Sequence, residues 1–174
     1  MDRKRTHSVL LVLVTGCLLS LGCSSQKNLT DSRVFRMGER VEVGSLIYTV
    51  MDTEWHDQLG EGPSARLPQN RFLMIRLSVT NSGVSDSAVP AMSLVDARGQ
   101  SLTELTDGQG VTEWMGFLRT VKPAQTERGR VLFDVPTGAY RLRVANDAEP
   151  EIQKAAHIEI PLQLMPAVPD LPAR

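Results

Sequence analysis

Cys17 and Cys23 are the only thiols in the chain, and both fall in its apolar opening segment. A thiol can close a disulfide, ligate a metal or carry a lipid. Exported domains mostly use cysteines as structural pairs. A leader removed after Gly22 would leave Cys23 alone, so lipid attachment is the more economical reading. Beyond that segment the histidines are His56, in Trp55-His56-Asp57, and His157. A metal site wants further His, Cys or carboxylate ligands at a set spacing, and neither histidine has them. No nucleophile-elbow motif is present, and no glycine-rich phosphate loop. The carboxylate pairs Asp52/Glu54 and Asp107/Glu113 have the right types for acid–base work, but ordinary surface acids explain them better. The expectation is a chain with no catalytic residues, no metal and no cofactor.

The most suggestive apolar run is Trp114-Met115-Gly116-Phe117-Leu118. Two readings stay open. Aromatic residues in a crossover usually plug a core. A contiguous exposed apolar patch instead marks an interface, and Trp is enriched where interfaces are tightest. Trp114, Met115, Phe117 and Leu118 are therefore candidate partner contacts. Trp55 and His56, at the mouth of a long loop running to Asn70, could supply a second wall.

These side chains must be positioned by strands. In Arg71 to Gly83, RFLMIRLSVTNSG, Leu73, Ile75, Leu77 and Val79 fall on one face and Arg76, Ser78 and Thr80 on the other. That period of two marks a strand with one buried face, stopped by Asn81-Ser82-Gly83. Each buried side chain contributes about 1.5–3 kcal/mol, while each ordered backbone residue costs about 1–2 kcal/mol. The strand therefore needs paired neighbours and an apolar sheet opposite. Thr126 to Val135 repeats the pattern, with Val131, Phe133 and Val135 on one face. Shorter strands are expected at Arg40–Val43, Leu46–Met51, Ala91–Val95, Gln100–Leu105, Tyr140–Val144 and His157–Leu162. Pro161 argues that the last of these lies at an edge. Ser82–Ala88 reads as a linker, and Val111–Thr120 as a short helix or an irregular crossover. Seven to nine short antiparallel strands with frequent turns and no long amphipathic helix indicate an all-β sandwich.

Charge adds little. Lys+Arg 19 against Asp+Glu 20 gives net −1, with no basic excess of the kind nucleic-acid binding requires, so no nucleic-acid partner is expected. The opening segment is more telling. Arg3, Lys4 and Arg5 precede Ser8 to Leu21, an apolar run short of the about 20 residues a membrane span needs, as in a secretory leader. Its end, Leu19-Ser20-Leu21-Gly22-Cys23, resembles the lipobox of bacterial lipoproteins. That resemblance implies cleavage after Gly22 and a diacylglycerol on Cys23, with Cys17 as the rival. Cleavage at Cys17 would shorten the apolar core to Val9–Val14, below the usual 7 to 15 residues. Two or more acyl chains hold a protein stably on a membrane. The expected organisation is a leader over 1–22, a polar tether over 23–36, a sandwich over 37–164 and a proline-rich tail over 165–174.

Three stretches also resemble a bacterial family of immunoglobulin-like domains of unknown function. It is common in exported lipoproteins, and its fold is shared with the mycobacterial immunoprotective antigen. They are Arg71–Gly83, the hairpin Leu94-Val95-Asp96-Ala97-Arg98-Gly99-Gln100, and Gly129-Arg130-Val131-Leu132-Phe133-Asp134-Val135-Pro136. This chain has Pro123-Ala124 where the family often has Pro-Gly. The resemblance implies an immunoglobulin-like β-sandwich at the extracytoplasmic side of the cell envelope, on either membrane. The expected role is a noncatalytic protein-binding or assembly module, with an envelope protein as partner. The alternative is a small-ligand-binding lipoprotein using the loops around Trp55, His56 and Trp114.

The anchor is directly testable. Radiolabelled palmitate should be lost from Cys23→Ala and kept by Cys17→Ala; the opposite pattern would assign the lipid to Cys17.

Overall fold

The computed structural model describes residues 33–149 and 152–162. The leader, Cys17, Cys23 and the proline-rich tail lie outside those residues. Eleven strands follow one another: β1 (Val34–Phe35), β2 (Val41–Val43), β3 (Leu46–His56), β4 (Arg71–Asn81), β5 (Ser87–Val89), β6 (Ser93–Val95), β7 (Ser101–Thr103), β8 (Arg119–Val121), β9 (Thr126–Val135), β10 (Tyr140–Ala145) and β11 (Ala155–Ile160). Among the described residues the one helical element is a 3-10 turn at Gly62–Ser64. One sheet is ordered β2-β3-β4-β9 and the other β1-β11-β10-β6-β7, with β5-β8 as a separate two-stranded piece. The architecture is the expected all-β sandwich. The strand count exceeds seven to nine because β1, β5 and β8 are too short, at two or three residues, to show a period.

The alternation in β4 and β9 sets the core. Leu73, Ile75, Leu77 and Val79 pair across β9 with Phe133, Val131, Gly129 and Glu127. Leu73, Ile75, Leu77, Val79, Val131 and Phe133 are fully buried. They meet Leu94 from β6, Leu142 and Val144 from β10, and Ile158 and Ile160 from β11. In β3 the ladder with β4 slips between Val50 and Asp52. This bulge leaves Met51 as the extra residue and switches the inward set from Leu46, Tyr48 and Val50 to Thr53 and Trp55. A bulge changes which side chains face the core without ending the strand.

Several boundaries differ from expectation. β1 falls within the stretch expected to be tether and pairs in parallel with β11 through Val34↔His157 and Phe35↔Ile158. β11 is consequently flanked on both sides, by β1 and β10, and is not an edge strand. It ends at Ile160, so Pro161 lies just past it, and Leu162 is 41% exposed rather than inward. The outer face of the β3-β4-β9 sheet is also half covered. Leu59, Phe72, Met74 and Leu132 form a second buried cluster, with Leu105 and Val111 against it. Two loops make this cover. Leu59 and Arg66 exchange backbone hydrogen bonds, and Arg66 Nη1 donates to the Asp107 carbonyl at 2.9 Å.

Asn81 does more than end β4. It has no exposed surface. Its Nδ2 donates to the carbonyls of Ser85 at 2.7 Å and Val121 at 2.8 Å, and its Oδ1 accepts from Gly83 N–H at 2.8 Å. Its own backbone N–H donates to Gln125 O, and its carbonyl accepts from Ala124 N–H. The Asn81 side chain thus joins the end of β4 to β8, and its backbone joins it to the turn before β9. Asn81→Ala removes three hydrogen bonds and strands one fully buried partner, the Val121 carbonyl, at about 1–3 kcal/mol for a buried group left unpaired. Urea unfolding should show a loss of about 2–4 kcal/mol after partial relaxation, and Asn81→Asp, which lacks the N–H donors, should recover little of it.

Candidate functional site

Residues 105–118 contain no regular element, so Val111–Leu118 is the irregular crossover and not the short helix of the two readings, and Arg119 and Thr120 already belong to β8. The segment runs along the outer edge of β9. Met115 N–H donates to Arg130 O at 3.1 Å and Arg130 N–H donates to Glu113 O at 2.8 Å, so Trp114 bridges β9 in parallel. Two local devices make this contact possible. Glu113 adopts φ +56, a left-handed backbone that side chains other than glycine rarely take. Gly129 lets the segment come close, since a Cβ there would collide with Glu113 O and Met115 Cγ. Gly108 similarly lies flat against the Trp114 indole and leaves no room for a side chain.

The four apolar candidates then separate. Met115 packs against the sandwich core. Trp114 is half-buried over Gly108, Phe117 is half-buried, and Leu118 is 93% exposed. Two hollows flank Leu118. One, of about 350 Å³, is lined by Trp114, Met115, Leu118, Arg119, Glu127 and Arg128 among others. The other, of similar volume, is lined by Ala88, Val89, Pro90, Phe117, Leu118 and Arg119 among others.

Behind this edge lies a pair that the sequence did not suggest. Glu104 and Arg119 form a salt bridge with side chains only 1% and 5% exposed. Glu104 Oε1 also accepts from Met92 N–H at 2.8 Å. Burial raises the Glu104 carboxyl above its ordinary value, while the Arg119 guanidinium pulls it down without reversing the shift. Tyr48 lies in the same interior and donates to Ala145 O at 2.6 Å. Burial, the largest cause, raises its phenol.

Trp55 and His56 lie on opposite faces of β3, and the bulge between Val50 and Asp52 turns Trp55 inward. Trp55 packs against the core, with the Arg71 guanidinium 6.0 Å from its ring. His56 points outward, its Nε2 3.2 Å from Glu54 Oε2, and lines an outer hollow of about 370 Å³ with Glu54, Gln58, Glu61, Thr112 and Arg130. Trp114 lines neither that hollow nor the core. The structure therefore does not bring Trp55, His56 and Trp114 into one pocket. The carboxylates singled out for acid–base chemistry are each matched to an arginine: Asp52 to Arg76, Glu54 to Arg130, Asp107 to Arg66, and Glu113 to Arg130. Among the described residues no group of three or more His, Cys, Asp or Glu could hold a metal ion, and no helix is long and apolar enough to cross a membrane.

Fold and edge together define an immunoglobulin-like β-sandwich domain. The chain belongs to the family described as domain of unknown function DUF4352, whose model matches residues 35–156. Among solved structures it is similar to the yjhA protein of Bacillus subtilis, at 15% identity and TM-score 0.53 over 71% of this chain and 99% of that one. A candidate lipoprotein of Bacillus subtilis, ycdA, aligns at 15% identity and TM-score 0.54 over 71% of this chain and 38% of that one. The secreted protein MPT63 of Mycobacterium tuberculosis aligns at 15% identity and TM-score 0.49 over 74% and 97% of the two chains. No curated protein matches the chain. At these identities the likeness is one of fold.

Burial raises the Glu104 carboxyl more than the Arg119 guanidinium lowers it. Glu104→Gln keeps an acceptor for Met92 N–H and Arg119 and should cost about 1 kcal/mol, whereas Glu104→Ala leaves a buried cation bare and should cost about 3–5 kcal/mol. A carboxyl whose folded value is raised contributes stability that is full below its unfolded value and is lost as pH rises through the folded one. Urea unfolding across pH 4 to 8, about the range that brackets a raised carboxyl, should show that downward component in the wild type and not in Glu104→Gln.

Proposed function

We propose that this chain is a lipoprotein of the bacterial cell envelope. Cys23 carries the lipid, and the sandwich sits on the extracytoplasmic side of a membrane. There it binds a protein partner along the Trp114–Leu118 edge and catalyses nothing. Support for the location comes from the lipobox-like Leu21-Gly22-Cys23 and from the similarity to ycdA, itself a candidate lipoprotein. The observation that carries the binding role is Leu118, 93% exposed between two hollows. The segment that presents it is pinned to β9 by the Glu113, Met115 and Arg130 backbone bonds. An apolar side chain held out on fixed backbone loses little conformational freedom when a partner covers it.

A small-ligand role would use separate hollows, since His56 and Trp114 line different ones, and the outer hollow beside His56 is one of these. Its volume of about 370 Å³ lies at the low end of the range ligand sites occupy.

A photo-crosslinking amino acid at position 118 of the full-length protein, activated in cells, tests the edge. Position 84 is the control, because Val84 is 98% exposed but lies on the linker between β4 and β5. A discrete adduct should form from 118 and not from 84. Phe117→Ala, introduced beside the crosslinker, should weaken that adduct without moving Tm. Identical adducts from both positions would mean that the edge is ordinary surface.

A further inference from the structure

We infer that the outer face of β1, β11 and β10 docks on the anionic phospholipid headgroups of the membrane that holds the chain. The inference rests on the Cys23 anchor proposed above and adds which face the anchored domain turns to the bilayer. Arg141 and Arg143 project from β10 at alternate positions, away from the buried Tyr140, Leu142 and Val144. At the start of the chain Phe35 and Met37 pack on the core, so Val34 and Arg36 project outward. The register puts them on the face of the β10 arginines, with Val34 beside His157 and His157 beside Arg143.

Charge on this face is uncompensated. Arg36 and Arg141 are exposed, and neither side chain makes a hydrogen bond or a salt bridge with the described residues. Arg143 Nη2 donates to Gln153 Oε1 at 3.4 Å and meets no carboxylate. Among the strand residues of the face the opposing charge is Glu159, beside Arg141. Three guanidinium groups to one carboxylate make it basic, on a chain whose net charge is −1. On the outer face of the other sheet, by contrast, Arg76 is paired with Asp52, and Arg130 with Glu54 and Glu113.

The chain length delivers this face to the bilayer. Arg33 follows Cys23 by ten positions, a reach of at most about 36 Å. The chain then enters through β1, at the edge of the basic sheet. Headgroup attraction fades over about 8 Å at physiological salt, so it acts on a domain that a lipid already holds close, and it turns the basic side inward. One lipid signal plus basic residues is a stable membrane pairing. Each basic group near an anionic surface adds about a fivefold preference. The Trp114–Leu118 edge runs along β9 of the other sheet, so docking leaves it open to a partner.

The test uses the lipidated protein in vesicles of phosphatidylcholine, or of phosphatidylcholine and phosphatidylglycerol in equal parts, each with a trace of nitroxide-headgroup lipid. With Cys23 acylated the mature chain has no other thiol, so Ser101→Cys takes a single bimane. Ser101 is exposed on β7 and pairs with Val95, itself beside Arg141. Ser64→Cys is the control, exposed in the loop that covers the other sheet. Nitroxide should quench the bimane at position 101 more strongly in the anionic vesicles and leave that at 64 unchanged. Arg36→Gln and Arg141→Gln should each lower the docked-to-undocked ratio about fivefold without moving Tm. Equal quenching at 101 in the two vesicles, or equal gains at 101 and 64, would overturn the inference. Flotation with the neutral vesicles reports the anchor separately. A chain that floats without an anionic preference keeps the Cys23 lipid and discards the face; one that floats with neither vesicle discards both.

Discussion

A carboxamide without exposed surface holds one end of this sandwich together. Strand β4 supplies the central row of the core, but its order at the C-terminal end depends on where β8 and the turn before β9 lie. Asn81 fixes both through its side-chain bonds to Ser85, Val121 and Gly83 and its backbone bonds to Ala124 and Gln125. The turn shows how strongly that anchor acts. Ala124 adopts φ +59, a conformation that costs a residue with a Cβ about 1–2 kcal/mol. Gln125 N–H nonetheless closes on Lys122 O at 3.1 Å, as in a β-turn with Pro123 at its second position. Alanine thus forms the tight turn where glycine was the easier choice, because Asn81 O accepts its N–H.

The parts of the fold legible in the sequence are those set by strand periodicity. Val131, Phe133 and Val135 alternate along the second half of Thr126 to Val135, and β9 has those bounds. The Asp96–Gly99 turn was equally readable. Asp96 Oδ1 accepts from Arg98 and Gln100 N–H at 2.8 Å each, and Gly99 takes φ +82. What stayed hidden is what long-range contact decides. Phe72, Met74 and Leu132 sit on the face of β4 and β9 opposite the core, and only the loops around Leu59 and Val111 bury them. β5 and β8 are strands because they pair with each other.

The candidate site was legible in its residue types and less so in its grouping. Trp55 and His56 are adjacent in a strand, so a period of two already places them on opposite faces. Reading them as one wall overlooked that rule. The Glu104–Arg119 pair left no local signal, since the partners are 15 residues apart, one in a stretch that reads as a short strand and the other in one that reads as a helix or crossover. Its effect on function is indirect but physical. The buried pair holds β8 in place, and Leu118, the residue before Arg119, stays on the surface.

The pairing of β1 with β11 gives the molecule a direction. Because the two strands run parallel, the chain enters the sandwich near the pole that carries Asn81, Ala124 and Asn146 and leaves it near the pole that carries Tyr140 and Ile160. A pull on the chain ahead of Val34 is met by hydrogen bonds loaded lengthwise rather than opened one at a time.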